Sequence, residues 1–132
     1  MKYMLDTHTW IWWHMNPKKL SQKVKRIVGN TNRYNELLLS AISPWEFNKL
    51  IEKKKIGISC DPENWINSAL DMPKFRLVPL TPVLACRSTA LHQLFHSDPA
   101  DQIIVTTARE ENATILTKDE RILSYDNVRS LW

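Results

Sequence analysis

Glycine is scarce in this chain, because only Gly29 and Gly57 occur among 132 residues. P-loops and dinucleotide-binding loops need several glycines in a short run, so that backbone amides can approach a phosphate closely. Cofactor chemistry built on such loops is therefore nearly excluded. Cysteine is equally scarce, and Cys60 and Cys86 lack the CxxC spacing of a redox or zinc motif. Two buried, reduced thiols and a cytoplasmic location are expected.

Long hydrophobic runs are also absent. An apolar stretch of about 18 residues is needed to span a bilayer, and the sequence contains none. Near the N-terminus, Asp6 and His8 interrupt the apolar stretch before a secretory core of roughly 7 to 15 apolar residues can form. The sequence predicts neither a membrane span nor a signal peptide.

The chain does have enough apolar residues for one core, since 43% of its residues are hydrophobic and its length fits a single domain over 1–132. Residues 1–66 carry 11 Lys or Arg against 6 Asp or Glu, whereas residues 67–132 carry 7 against 8. The net charge of +4 therefore lies in the first half. This charge favours a polyanionic partner such as nucleic acid, although solubility alone also explains it.

Strand and helix signals alternate along the sequence. Short apolar runs predict buried strands at 3–5, 37–39, 75–78, 114–117 and 128–132. Helical spacing and N-cap residues predict helices at about 9–14, 22–28, 43–55, 62–70, 82–95 and 99–108. Apolar strands that alternate with helices indicate an α/β fold with a parallel sheet buried on both faces.

Four acidic residues follow these strands or lie in the first turn of a helix: Asp6, Glu46, Asp101 and Asp119. Open α/β sheets bind ligands outside the carboxyl ends of their strands, where the strand order reverses. Two carboxylates about 4 Å apart repel by roughly 4 kcal/mol at an effective dielectric near 20, and a divalent cation relieves that repulsion. All-oxygen sites suit Mg²⁺ or Mn²⁺, which acidify water and offset charge on phosphate. The acids therefore indicate metal-dependent phosphodiester hydrolysis.

Each acid also has a purely structural explanation. Glu46 fits the third position of a capping box that begins at Ser43. Asp98 is a natural N-cap for the helix after it, which leaves Asp101 as the freer acid and Asp98 as either a cap or a ligand. The other two acids can each cap the segment that follows them.

Other side chains allow further interpretations. His92 and His96 have the spacing of a zinc-binding helix, but Gln93 replaces the glutamate of zinc proteases, and His96 can instead contact the end of its own helix. His8 is close enough to Asp6 to touch a substrate. A solvated face or an RNA track is expected of Lys49, Lys53, Lys54 and Lys55. Core or interface positions are expected of Trp10, Trp12, Trp13 and Trp45.

Taken together, four motifs resemble a known family. The stretches YMLDTH at 3–8, SPWE at 43–46, DPAD at 98–101 and TKD at 117–119 are similar to those of PIN domains of the VapC toxin type. The resemblance covers nearly the whole chain. It implies a three-layer α/β/α domain with a parallel sheet of about five strands in the order 3-2-1-4-5. It also implies a Mg²⁺- or Mn²⁺-dependent endoribonuclease, the toxin of a type II toxin-antitoxin pair.

The same resemblance implies roles for individual residues and partners. It assigns the acidic quartet to Asp6, Glu46, Asp101 and Asp119, with Asp6 and Asp101 as the most direct metal ligands. The small hydroxyl residues that accompany the quartet match Thr7, Ser43 and Thr117. Gln102 departs from the family, which often has Arg after the second aspartate of this motif. The implied partners are an RNA substrate, a cognate antitoxin and a second copy of the chain in a homodimer.

Two other readings of the resemblance stay open. One is a PIN nuclease that processes RNA without an antitoxin, and the other is a catalytically silent module that binds RNA or protein. A phosphoacceptor domain or a haloacid-dehalogenase-like phosphatase is disfavoured, because the second acid it needs near Asp6 is missing and His8 stands two residues on.

Overall fold

A computed structural model describes residues 1–30, 35–91 and 95–132. Strands and helices alternate along the chain, as the sequence predicts. The strands are β1 (Lys2–Leu5), β2 (Glu36–Ser40), β3 (Phe75–Val78), β4 (Thr114–Leu116) and β5 (Ser130–Leu131). The helices are α1 (Thr7–Met15), α2 (Gln22–Gly29), α3 (Ile42–Glu52), α4 (Pro62–Leu70), α5 (Pro82–Ser88), α6 (Pro99–Glu110) and α7 (Glu120–Leu123). A 3₁₀ turn at Pro17–Lys19 follows α1.

The five strands form one parallel sheet in the order β3-β2-β1-β4-β5, which confirms the predicted order. In this register Leu5, the last residue of β1, pairs with Leu39 of β2 and with Leu116 of β4. The chain moves outward in one direction from β1 to β3 and then returns to the other side of β1 with β4. The crevice that this reversal creates opens at the carboxyl ends of β1 and β4.

The sheet is buried on both faces, because successive side chains of a strand point to opposite sides. Met4, Leu38 and Ile115 pack on one face, against α5, α6 and α7. Leu5, Leu39 and Leu116 pack on the other face, against α1 to α4. The helices contribute Leu84, Ile104 and Ile122 to the first core and Trp10, Val24, Phe47 and Ala69 to the second. The result is the expected three-layer arrangement.

Helix α3 begins earlier than predicted, and the capping box at Ser43 is wrong. The helix begins at Ile42 after Ala41, which makes no side-chain cap. The hydroxyl of Ser40 accepts a hydrogen bond from the Ile42 amide instead, at 3.2 Å. Pro44 then lies in the first turn, where a missing amide hydrogen costs nothing because that turn has no intrahelical acceptor. The helix ends at Glu52 rather than near Lys55.

Helix α5 is shorter than predicted, because it ends at Ser88 instead of near Phe95. The hydroxyl groups of Ser88 and Thr89 donate to the carbonyls of Ala85 and Cys86, at 2.8 Å each. Hydroxyl groups that bond to the backbone in this way compete with continuation of the helix. Residues 92–94, including His92 of the zinc interpretation, lie outside the described residues.

The structure also bears on three smaller expectations, which concern the cysteines, the tryptophans and membrane-spanning helices. Both cysteines are free, as expected, but exposed rather than buried, because Cys60 lies in the loop before α4 and Cys86 on the solvent side of α5. Trp10 is fully buried, whereas Trp45 is 56% exposed and is not a core residue. Within residues 1–30, 35–91 and 95–132, no helix has the length and apolar character needed to cross a membrane.

Candidate active site

A cleft of about 630 Å³ opens at the carboxyl ends of β1 and β4. All four predicted acids line it, together with Asp98. Its other lining residues include several bases: His8, Lys49, Lys53, Lys55 and Arg121. The structure therefore brings together four acids that are up to 113 residues apart in the sequence, while their roles as ligands stay a prediction.

Asp6 follows β1 directly and is the N-cap of α1. One oxygen, Oδ1, accepts a hydrogen bond from the Thr7 amide at 2.8 Å. The other, Oδ2, accepts one from the Thr117 hydroxyl at 2.6 Å. Only 4% of Asp6 is exposed. Its capping role and its place in the cleft are therefore compatible, and the cap holds the carboxylate in one orientation.

Glu46 lies in the second turn of α3 and faces the beginning of α1. The Thr7 hydroxyl donates to Glu46 Oε1 at 2.5 Å. The oxygen of the same Thr7 hydroxyl lies 2.8 Å from the Ser43 hydroxyl oxygen. Burial raises the pKa of Glu46, the hydrogen bond from Thr7 opposes that shift, and the charges of Asp6 and Asp98 add to it. Two of the predicted hydroxyl residues thus connect Glu46 to the Asp6 cap.

Asp101 is the acid most affected by its surroundings. Its amide donates to Asp98 Oδ1 at 3.0 Å, which confirms Asp98 as the N-cap of α6. Only 9% of Asp101 is exposed. Burial, and then the charges of Asp6, Asp98, Asp119 and Glu46, raise the pKa of Asp101 to about 7. The negative charge of this cluster is therefore only partly compensated by the chain itself.

Asp119 is the N-cap of α7 and pairs with Arg121. Its Oδ1 accepts from the Arg121 amide at 2.9 Å, and its Oδ2 accepts from Arg121 Nη2 at 3.0 Å. Burial alone would raise the pKa of Asp119, but the hydrogen bonds from Arg121 outweigh burial and hold the pKa below its ordinary value. The same Nη2 lies 3.4 Å from Asp101 Oδ2. Arg121 thus bridges two acids of the quartet, a role that none of the four sequence motifs indicates.

Two histidines also contact the acids. His96 Nε2 lies 3.2 Å from Asp101 Oδ2, while His96 Nδ1 accepts from the Asp98 amide at 3.2 Å. The predicted contact of His96 with its own helix end is wrong, because α5 ends at Ser88. His8 Nδ1 lies 3.5 Å from Asp6 Oδ2, and its Nε2 accepts from the Lys118 amide. Besides its spacing from His92, the sequence signal for His96 was its position two residues before the Asp98 cap.

Gln102 occupies the position where the family often has Arg. Its side-chain amide donates to the carbonyl oxygen of His96 at 3.1 Å. The residue therefore fixes the loop that presents His96 to Asp101. Arg121 supplies a positive charge to Asp101 and Asp119.

The donor atoms of this cluster fit a divalent cation. One ligand atom from each of His96, Asp101 and Asp119 can be chosen so that all lie within 4.8 Å of one another. Carboxylate oxygens are the ligands that Mg²⁺ and Mn²⁺ prefer, and a histidine is compatible with Mn²⁺. The raised pKa of Asp101 agrees with this, because burial and then repulsion from the neighbouring acids disfavour its charged form unless a cation is bound.

Comparison with known proteins agrees with this description. Residues 3–128 match the family model of the PIN domain. Ribonuclease VapC22 of Mycobacterium tuberculosis is 32% identical over 126 residues, which cover 96% of this chain and 93% of that protein.

Solved structures share the fold at low sequence identity. VapBC2 from Rickettsia felis bound to a promoter DNA fragment gives a TM-score of 0.70 at 17% identity, over 99% of this chain and 98% of that one. VapBC-1 from nontypeable Haemophilus influenzae gives a TM-score of 0.68 at 18% identity, over 99% of this chain and 97% of that one. A toxin-antitoxin complex from Klebsiella pneumoniae gives a TM-score of 0.66 at 19% identity, over 98% of this chain and 96% of that one. The sheet order, the position of the acids and the match over residues 3–128 together show that this chain belongs to the PIN domain family.

Proposed function

We propose that this protein is a Mg²⁺- or Mn²⁺-dependent endoribonuclease and the toxin of a type II toxin-antitoxin pair. The observation that carries the proposal is the convergence of Asp6, Glu46, Asp101 and Asp119 in one cleft of a PIN domain. Its 32% identical relative is named a ribonuclease, and its structural neighbours are VapBC and toxin-antitoxin complexes. These names support both the activity and an antitoxin partner.

Each acid has a proposed role. Asp6 and Asp101 would hold the ion most directly, while Glu46 and Asp119 would hold the solvent around it or a second ion. A bound ion of this type acidifies water and offsets the charge that develops on the scissile phosphate. Thr7 and Thr117 keep the Asp6 carboxylate in place, since each donates to one of its oxygens.

The carboxyl groups also provide acceptors for a proton. Burial raises the pKa of Glu46 and of Asp101, and a carboxylate whose pKa is raised is a stronger base than an ordinary one. Glu46 is the proposed acceptor of a proton from the attacking water. The water oxygen bonds to phosphorus in line with the P–O3′ bond, which breaks, and the leaving 3′ oxygen takes a proton from solvent, so that the products are a 5′-phosphate and a 3′-hydroxyl end.

Replacement of Asp6 by Asn tests the activity. Asn retains an oxygen that can accept from the Thr7 amide, and it is as good an N-cap as Asp, so the fold should persist. We expect Mg²⁺- or Mn²⁺-dependent cleavage of RNA to be abolished, with an unchanged circular dichroism spectrum. Asp126→Asn makes the same charge change at an exposed position outside the cleft and serves as the control. Unchanged cleavage by Asp6→Asn protein would rule out the assignment.

The toxin role requires a separate experiment. Expression of the wild-type chain should arrest growth, and co-expression of a protein encoded by a neighbouring short reading frame should relieve the arrest. RNA cleavage without growth arrest would instead indicate an RNA-processing nuclease, and RNA binding without cleavage would indicate a silent module. The single domain over 1–132, the homodimer and the cytoplasmic location stay predictions.

A further inference from the structure

Trp45 is unusual among the six tryptophans of this chain. The other five each contact another aromatic ring and pack within or against the core. Trp45 is 56% exposed, and the ring contact found for it among the described residues is with the ammonium group of Lys49, 5.5 Å from the ring centroid. A large indole that stays in water gives up the free energy of burial, so packing of this domain does not explain its position.

The location of Trp45 connects it to the acids. It precedes Glu46 directly on α3 and lines the same cleft. Lys49 follows one turn later on the same helix face, and Lys53 lies a further four residues on, about 12 Å from Trp45 along the helix axis. Both lysines also line the cleft. An aromatic ring and two ammonium groups therefore extend in a row from the acidic cluster.

This row has the composition of a binding site for single-stranded nucleic acid. Such sites combine aromatic rings, on which unpaired bases stack, with positive groups that follow the phosphates. Lys49 Nζ lies 3.2 Å from Glu52 Oε2 in an exposed ion pair, whereas Lys53 and Lys55 add positive charge to the acidic cleft, which by itself repels a polyanion. An aromatic ring beside lysines matches a nucleotide, because the base can contact the ring while its phosphates contact the lysines. A peptide would need an apolar and an acidic side chain at the matching spacing to make the same contacts.

We propose that Trp45 stacks on an unpaired base next to the scissile phosphate, and that Lys49 and Lys53 bind phosphates on the same side. The inference rests on the proposed ribonuclease function and adds a substrate-binding residue to it. It makes single-stranded RNA the preferred substrate, because a base within a duplex cannot stack on the indole without unpairing.

Binding and cleavage of a short unstructured RNA test the proposal. In the Asp6→Asn background, Trp45→Ala should weaken RNA binding by about 5- to 150-fold, the usual effect of losing one stacked base, and Trp45→Phe should restore most of the affinity. In the active protein, Trp45→Ala should raise KM more than it lowers kcat. Lys49→Gln should reduce the slope of log affinity against log salt by about 0.7, whereas Lys23→Gln, on the exposed face of α2, should not.

RNAs with single abasic positions make the test specific. At one position near the cleavage site, removal of the base should weaken RNA binding to the parent protein. Binding to Trp45→Ala protein should not change at that position, and removal of other bases should have no such effect. Val83→Ala, at another exposed apolar residue outside the cleft, is the control for surface truncation.

The possible failures are distinguishable. If the wild-type protein does not cleave RNA, the proposed function fails. If it cleaves RNA and Trp45→Ala leaves KM, affinity and the abasic profile unchanged, the ribonuclease stands and the stacking role is wrong. The stacking role is also overturned if Trp45→Ala retains RNA binding but loses binding to the antitoxin or to a second copy, because the ring then belongs to a protein interface.

Discussion

The ionised Asp101 carboxylate that the proposed activity needs lowers the stability of the metal-free protein. This carboxyl group is buried beside four other acids, and its pKa is raised from 3.8 to about 7. The folded state therefore binds the proton more tightly than the unfolded state does. In the metal-free protein, the free energy of unfolding should fall as pH rises from about 4 to 7 and should stay low at higher pH.

Replacement of Asp101 by Asn should remove this loss in the free energy of unfolding. At pH 8 and without metal, we expect Asp101→Asn to raise Tm by about 3 to 10 °C, which corresponds to roughly 1 to 3 kcal/mol for a chain of this length. The gain should shrink near pH 4.5, where the native carboxyl is protonated. Thermal unfolding in EDTA across this pH range measures it, with Asp126→Asn as the control. A lower Tm for Asp101→Asn at pH 8 would show that Arg121 and His96 fully compensate the charge.

At the level of elements, the end of α3 contains backbone strain next to the cleft. Lys54 adopts a left-handed conformation with φ of 58°. The amide of Lys54 donates to the Ile51 carbonyl and that of Lys55 to the Leu50 carbonyl, the two bonds of a Schellman motif. This motif prefers glycine at its left-handed position. It turns the chain so that Lys53 and Lys55 both line the cleft.

Lys54→Gly should therefore stabilise the protein, by about 0.5 to 1 kcal/mol, because glycine adopts this conformation without steric cost. Urea denaturation at equilibrium measures the change. Lys53→Gly is the matched control, since Lys53 has an ordinary φ of −82° and gains nothing from glycine. A loss of stability in Lys54→Gly protein would mean that the lysine side chain contributes more than the strain costs.

At the scale of the whole molecule, the site depends on two halves of the chain. Asp6 and Glu46 come from the first half, whereas Asp101 begins the helix that leads to β4, and Asp119 follows β4 on the other side of β1. An ion that binds all of them holds these halves together in the folded state only. Its binding free energy is then added to the free energy of unfolding.

Mn²⁺ should therefore raise Tm in a saturable manner. At about 100 times the dissociation constant the gain is about 2.7 kcal/mol, or roughly 8 to 10 °C for a chain of this length. Differential scanning calorimetry over a Mn²⁺ titration measures the shift. Asp6→Asn should reduce the shift strongly, and Asp126→Asn should not. An equal shift in wild-type and Asp6→Asn protein would place the ion outside the acidic cleft.

Local signals predicted much of this architecture. The helices predicted at 22–28, 62–70 and 99–108 begin after Ser21, Asp61 and Asp98, because each of these side chains accepts from an amide three residues further on. The apolar runs form the strands for the same local reason. The ends of α3 and α5 were predicted less well, because there a hydroxyl group or a left-handed residue decides where the helix begins or ends.

The sequence by itself determined the alternation of strands and helices, the family resemblance and the identity of the acids, since these depend on residue type and short spacing. Only the tertiary structure decided what the acids contact. The hydrogen bond from Thr7 to Glu46 and the bridge from Arg121 to Asp101 join residues 39 and 20 positions apart. The exposure of Trp45 likewise depends on which helix faces the fold covers. Such contacts follow from packing of the whole chain, which no local pattern encodes.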